Sequence, residues 1–243
     1  MELLRAPAVL TLMSGAARPP ILTAPTASAR RRRLPPRTAA ALLGAALLGG
    51  AALAAAAAAA DEGARLAELL RLAPGRVVAD VGAGDGEWAL ELAERVGAAG
   101  RVFATEVEPG LVAKIEAAAR AAGQRRVTAL LGDQTATGLA PDCCDAILLR
   151  LVYHHFVDPA AMRADLARAL RPGGRLVVVD TVPQASWRRL TEVPERGGHG
   201  IRLAALVAEM TADGWSEVER RKRWMGDPDR YAVVFRPAGD AAR

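Results

Sequence analysis

Five short, nearly continuous apolar runs dominate the chain: Arg76–Val81 (RVVADV), Arg101–Val107 (RVFATEV), Val127–Leu131 (VTALL), Asp145–Leu149 (DAILL) and Arg175–Asp180 (RLVVVD). Runs of this kind are strands buried on both faces, which is the signature of a parallel sheet covered by helices. The intervening stretches have helical spacing. Helices are predicted over about Glu87–Val96, over Gly110–Ala122 behind Pro109, over Ala160–Leu170, and over Ile201–Asp213. Pro172-Gly173-Gly174 and Gly123 supply the stops. A short amphipathic helix over 61–72, with Asp61 as its cap, precedes the first strand. Two further strand-like segments, Ser216–Arg223 and Arg230–Arg236, follow one another without a helix, so they form a hairpin and put one antiparallel strand near the sheet edge. The expectation is an α/β fold: a doubly wound, mostly parallel seven-stranded sheet in one domain over 61–243, without internal repeats.

The charge of +5 does not belong to that domain. Residues 1–60 hold seven arginines and one acid, Glu2, which leaves 25 basic and 26 acidic residues for 61–243. A mildly acidic body with 4% aromatic residues does not suit a reader of nucleic acid. Residues 39–60 form an uncharged run of 22, mostly Ala and Gly with five leucines, behind the Arg30–Arg33 cluster. That length crosses a bilayer as a helix. The same stretch also reads as an export signal ending in A-x-A, as an Arg-rich organelle transit peptide, or as bare low-complexity sequence. The leader therefore sends the domain to an organelle (chloroplast or mitochondrion) or attaches it to a membrane through residues 39–60, with a cytoplasmic location as the alternative.

Cys143 and Cys144 are adjacent, a spacing that pairs only with strain and matches no metal motif. They are read as small buried apolar residues, with no disulfide scaffold and no metal. The basic run Arg220–Arg223 follows Glu217 and Glu219 and reads as a solvated edge strand. Trp187, Trp215 and Trp224 read as core or loop packing.

In doubly wound sheets the ligand sits beyond the carboxyl ends of the strands. The first strand ends in Asp80-Val81-Gly82-Ala83-Gly84-Asp85-Gly86-Glu87. Glycines at 82, 84 and 86 permit a sharp turn and a close backbone approach. A dinucleotide fingerprint would require glycine at position 87, where this chain has Glu. Asp85 and Glu87 would also repel a pyrophosphate. A ligand with a positive centre suits the loop better than the nicotinamide cofactor of an oxidoreductase, which stays as the alternative.

VVADVGAGDGEWALELA resembles the first motif of class I S-adenosylmethionine-dependent methyltransferases. VFATEVEP, LLGDQTATGLAP, CCDAILLRLVYHHFVDP and ALRPGGRLVVVD follow in that family's order, over about residues 61–236. The likeness is greatest to the small-molecule type with a YHHF segment after strand four. It implies that S-adenosylmethionine is bound by Asp80, Gly82, Gly84, Gly86, Glu106 and Asp133. Glu106 would accept the ribose hydroxyls, Asp133 the adenine amine, and Asp80 with the glycine loop would hold the methionine moiety. The same residues also suit ordinary strand ends, and Asp85 a helix cap. The implied reaction is methyl transfer to a small, lipid-soluble or polar acceptor; a non-catalytic S-adenosylmethionine-binding module fits the same motifs.

Methyl transfer from a sulfonium needs alignment above all, and a base only where the acceptor keeps its proton. His154 and His155 are the candidates for that base, or else they pack the turn before Asp158-Pro159. Tyr153 and Arg150 are rim candidates. His199 lies in a glycine-rich loop, ERGGHG, that is either a lid or a connection.

Overall fold

Every one of the five apolar runs is a strand in the computed structural model, which describes residues 61–183 and 199–238. After a helix over 61–70 (α1) come β1 (Val77–Val81), α2 (Glu87–Val96), β2 (Arg101–Glu106), α3 (Pro109–Ala121), β3 (Val127–Leu131) and β4 (Cys144–Arg150). A 3-10 turn, Tyr153–His155, then leads to α4 (Pro159–Ala169), β5 (Leu170–Thr181), α5 (Leu203–Ala212), β6 (Trp215–Lys222) and β7 (Arg230–Pro237). The sheet order is β3-β2-β1-β4-β5-β7-β6. All pairings are parallel except those of β7, which runs antiparallel between β5 and β6.

Alternate residues of each strand point to opposite faces, and both faces are apolar. One face packs Ala79, Ile147, Leu149 and Val178 against Met162 and Leu166 of α4 and Leu206 and Met210 of α5. The other packs Val78, Val102, Leu148 and Val177 against Leu66 and Leu69 of α1, Leu92 of α2 and Ile115 of α3. Helices on both sides make the parallel arrangement stable, because neither face of such a sheet tolerates water.

Three details differ from the sequence reading. Strand β5 begins at Leu170, paired with Cys144. Residues Arg171–Gly174 bulge out, and pairing resumes at Arg175 with Ala146. The Pro-Gly-Gly stop therefore interrupts a strand that has already begun. Cys143 and Cys144 are not free thiols but a vicinal disulfide. They occupy the irregular start of β4, before the register shift between Cys144 and Ala146, so the alternation that would hold neighbouring side chains on opposite faces does not apply there. Asp85 does not cap α2: its carboxylate faces Lys114 at 3.7 Å, and the N-cap, Gly86, has no side-chain hydrogen bond. Asp158, by contrast, caps α4 through the Ala161 N–H at 3.0 Å.

The basic run on β6 is a solvated edge, with Arg220 paired to Glu217 and Arg221 to Glu219. Among the described residues no helix is long and apolar enough to cross a membrane. The leader over 1–60 and Trp187 lie outside the described residues.

Helix α1 is tied to the sheet by polar contacts as well as by leucines. Glu62 accepts from Arg150 Nε at 3.1 Å and Nη2 at 3.0 Å, and from Trp224 Nε1 at 2.8 Å. The Arg150 guanidinium also stacks 4.5 Å from the Trp88 ring centroid. Burial alone would raise the Glu62 pKa, but the hydrogen bonds from Arg150 and Trp224 outweigh it and hold the carboxyl below its ordinary value. That stabilisation is present above the ordinary carboxylate range and is lost as pH falls through the lowered value. At the other end of α1, Arg175 Nη1 donates to the Leu69 carbonyl at 2.8 Å and satisfies a helix-terminal acceptor. Glu62→Ala is expected to cost about 3 kcal/mol in urea denaturation at neutral pH, since it strands a mostly buried guanidinium. A loss below about 0.5 kcal/mol, the scale of an ordinary surface substitution, contradicts this account.

Candidate active site

The order of the sheet puts β1 between β2 and β4, so the chain leaves its carboxyl end in two opposite directions and a crevice opens there. The crevice is a cavity of about 460 Å³ whose wall includes Gly82, Glu106, Asp133, Val152, His155 and Met162.

The glycine loop makes the floor. Gly82 takes φ 72°, and a β-carbon on it would lie 2.3 Å from Val152 Cγ2, so both the conformation and the space demand glycine. The N–H groups of Gly82 and Ala83 donate to the Thr105 carbonyl at 2.9 and 3.1 Å, which stitches the loop to β2. Gly84 and Gly86 also have positive φ, 59° and 87°, but neither lines the cavity. Gly84 contributes through its N–H, which donates to Glu106 Oε1 at 2.7 Å.

Glu106 ends β2 and Asp133 follows β3, and both face the cavity as the sequence predicts. The second oxygen of Glu106 accepts from the Val107 N–H at 3.1 Å, so the carboxylate is held in one plane. Asp133 Oδ1 accepts from the Thr135 N–H, the Thr135 hydroxyl and the Ala136 N–H at 2.7, 2.8 and 2.8 Å. These bonds hold its carboxyl below the usual range. All three fall on Oδ1, which leaves Oδ2 free of hydrogen bonds to the described residues. Asp165, part-buried, anchors that turn through the N–H and hydroxyl of Thr137 at 2.8 and 2.6 Å.

Asp80 ends β1 but does not line the cavity. It is 2% exposed, and its Oδ2 has no hydrogen-bond partner among the described residues. Burial pushes its pKa up to about 7; the Arg150 charge opposes the rise and the Glu106 charge adds to it.

On the β4 side, Leu151 has φ 58° and the 3-10 turn carries the histidines. Tyr153 is not a rim residue. It is fully buried, and its hydroxyl donates to Glu209 at 2.8 Å and accepts from Arg163 at 2.7 Å, which fixes the turn from below. Burial, ahead of the Glu209 charge, pushes its phenol well above the usual range. Arg150 is likewise tied to Glu62 and Trp88 and is not open to a ligand by the same geometry. His155 lies on the cavity wall. Loss of solvation on its inner side, then the neighbouring imidazoles, pushes its pKa down to about 4. His154 is buried, with Nδ1 2.7 Å from Asp180 Oδ1 and Nε2 2.9 Å from His199 Nδ1.

Glu62, Trp88 and Asp180 are the site-shaping residues that sequence reasoning missed. Only Asp180 carried a signal: it ends β5 as Asp80 ends β1, with a strand-end carboxylate next to the YHHF segment.

A family model described as a methyltransferase domain matches residues 79–178. Nocamycin O-methyltransferase of Saccharothrix syringae is 33% identical over 175 residues, covering 72% of this chain and 62% of that protein, so the chain spans less than two thirds of that relative. Demethylmenaquinone methyltransferase of Mycobacterium marinum (strain ATCC BAA-535 / M) is 33% identical over 178 residues, covering 63% of this chain and 72% of that protein. Among solved structures, a SAM-dependent methyltransferase from Aquifex aeolicus superposes with a TM-score of 0.60 at 19% identity, over 71% of this chain and 88% of that one, a likeness of fold. Fold, motif order and relatives define a Rossmann-like domain of the methyltransferase type. The chain belongs to the class I S-adenosylmethionine-dependent methyltransferase family.

The buried Asp80 gives a pH signature. In the folded protein it holds its proton up to about pH 7, against an ordinary value of 3.8. The folded state therefore binds more protons between those limits, and stability falls as pH rises through that window. Asp80→Asn removes the slope. The variant should melt above the parent protein at pH 8, by a free-energy gap on the order of 4 kcal/mol at the limit, and the gap should narrow to under about 1 kcal/mol by pH 4. Parallel melting curves at both pH values would refute this.

Proposed function

We propose that this chain binds S-adenosylmethionine in the β1–β4 cavity and methylates a hydroxyl of a small acceptor with an apolar body. The observation that carries the reading is the pair of oriented carboxylates at adjacent strand ends, Glu106 and Asp133, on one cavity wall. Glu106, held flat by two backbone N–H groups, suits a vicinal diol such as a ribose. Asp133 Oδ2 suits an exocyclic amine beside it. The orphaned Asp80 oxygen behind the glycine loop fits a ligand that brings positive charge. S-adenosylmethionine supplies such a charge and, on its sulfonium, a methyl group ready for in-line displacement.

The chain's own task is then to bind, align and dry the acceptor. The wall opposite the carboxylates is apolar, with Leu151, Val152, Phe156 and Met162, and it broadens outward at the 41%-exposed Val157. An apolar acceptor body fits that wall, in keeping with relatives named for nocamycin and demethylmenaquinone methylation. The arginine-bearing, Ala-rich leader supports delivery of the domain to a membrane or an organelle, where lipid-soluble acceptors are concentrated. N-terminal sequencing of the mature protein tests that delivery: a start near Asp61 indicates a cleaved leader, whereas an intact 39–60 segment in a purely soluble fraction contradicts it.

Isothermal titration with S-adenosylmethionine tests the cofactor site. Glu106→Ala is expected to weaken binding roughly 10- to 100-fold, the value of charge-assisted hydrogen bonds to a ligand. Absence of binding by the parent chain, or unchanged binding by the variant, refutes the reading. Methyl-tritiated cofactor added to whole extract should label the lipid or small-molecule pool. Binding without any transfer would instead favour the non-catalytic module.

A further inference from the structure

The chain contains three histidines in 243 residues, and all three meet at one point. His154 and His155 come from the turn after β4, and His199 comes from the segment before α5, yet each offers a ring nitrogen within 4.8 Å of the others. Packing does not require this: no other imidazole is left elsewhere on the chain, and a random scatter would not gather them. The ring centroids are 4.3, 4.5 and 4.8 Å apart, and no aromatic stacking of the three is shared, since the interplanar angles run 37°, 57° and 86°.

The cluster has the second layer that metal-binding imidazoles use. Asp180 is fully buried at the end of β5, and its Oδ1 accepts from the Thr181 N–H at 2.7 Å while standing 2.7 Å from His154 Nδ1. A carboxylate on one ring nitrogen fixes the tautomer and aims the other nitrogen's lone pair. His154 Nε2 is thereby aimed into the cluster, at His199 Nδ1, 2.9 Å away. A cation bound to both nitrogens at about 2.1 Å in tetrahedral geometry would hold them ~3.4 Å apart, so that pair opens by roughly half an ångström, while the His155 nitrogen, within 4.8 Å of the others, moves in by up to about 1.4 Å. The buried Asp180 Oδ2, without a partner among the described residues, leaves further negative charge behind the rings.

We propose that His154 Nε2, His199 Nδ1 and a ring nitrogen of His155 bind a divalent transition-metal ion of the zinc type, with Asp180 as the positioning residue for His154. Imidazole ligands favour zinc, copper, nickel or iron over magnesium and calcium. Three protein ligands with a fourth position facing a cavity make an open site rather than a closed structural one. His155 brings that position to the cavity wall. An acceptor hydroxyl occupying it would give its proton to solvent and stay as a metal-bound oxyanion, a better nucleophile at neutral pH. This last assignment rests on the proposed methyl transfer; the metal site does not. From the sequence, His154 and His155 were expected to supply a base or to pack the turn, His199 to lie in a lid or a connection, and no metal was expected because the spacing matches no ligand motif.

The test uses tag-free full-length chain stripped with EDTA, titrated with Zn²⁺ calorimetrically and with Co²⁺ by visible absorption. One equivalent should bind, and Co²⁺ should show the intense d–d bands of a tetrahedral nitrogen site. His155→Gln and His199→Gln, neither of which is deep in the core, should each weaken binding at least tenfold. Asp180→Asn should weaken it 10- to 100-fold. Absence of stoichiometric binding by the parent chain overturns the proposal, and so does undiminished binding by a His155→Gln/His199→Gln double variant whose melting temperature matches the parent. Titration of the stripped protein with S-adenosylmethionine runs separately. Metal binding without cofactor binding would defeat the methyl-transfer reading alone, and cofactor binding without metal binding would defeat this one alone.

Discussion

The turn at Gly82 is the constraint on which the site depends. Strand β1 is flanked by β2 and β4, and its carboxyl end must release the chain at once if a crevice is to form there. Gly82 does this in a single left-handed step, packed so closely on Val152 that a β-carbon would overlap it. The same contact places the chain after β4 at a fixed height above β1. Glu106 receives the loop from one side, through Gly84, and the histidine turn begins from the other, one residue past Val152. A shift at Gly82 would move both walls of the cavity.

Around that turn the walls are made rigid by different means. The β2 and β3 side uses local backbone bonds: Val107 on Glu106, and Thr135 and Ala136 on Asp133. The β4 and β5 side uses long-range polar contacts, with Tyr153 joined to Arg163 and Glu209, and His154 to Asp180. Buried polar networks are costly unless fully satisfied, and satisfied ones specify a single geometry. Placement of such networks beneath the turn that carries His155 suits a wall that must present side chains at fixed positions.

That difference also decides what was legible beforehand. The strands were readable because burial on both faces leaves an uninterrupted apolar run, and Glu106 and Asp133 were readable because strand ends are where such runs stop. Their supporting bonds come from neighbours in sequence. The Glu62–Arg150 pair joins residues 88 positions apart, and Arg163 reaches Asp213 across 50. No periodicity records such pairings, so Arg150 and Tyr153 looked like rim residues when in fact they brace the fold. The vicinal disulfide was misread for a related reason: the break in register at the start of β4 lies in the pairing with β5, not in the local residues. The antiparallel β7 was foreseen as part of a hairpin, but its insertion between β5 and β6 is a matter of which apolar faces remained uncovered.

Two buried aspartates give the cavity its electrical asymmetry. Asp80 and Asp180 end β1 and β5, and the alternation of side chains sends them to opposite faces of the sheet, Asp80 among the residues beneath α2 and Asp180 among those beneath α4 and α5. Each keeps one oxygen without a hydrogen-bond partner among the described residues. Asp80 has no imidazole beside it, so burial drives it toward its neutral form until positive charge arrives. Asp180 has His154 against it and orders that ring. One buried carboxyl thus lies beneath the glycine loop, while the other orients an imidazole of the turn after β4. The net charge of the domain is close to zero, and what matters for function is this local division: acids where a sulfonium would lie, and neutral lone pairs where an acceptor proton or a metal ion would.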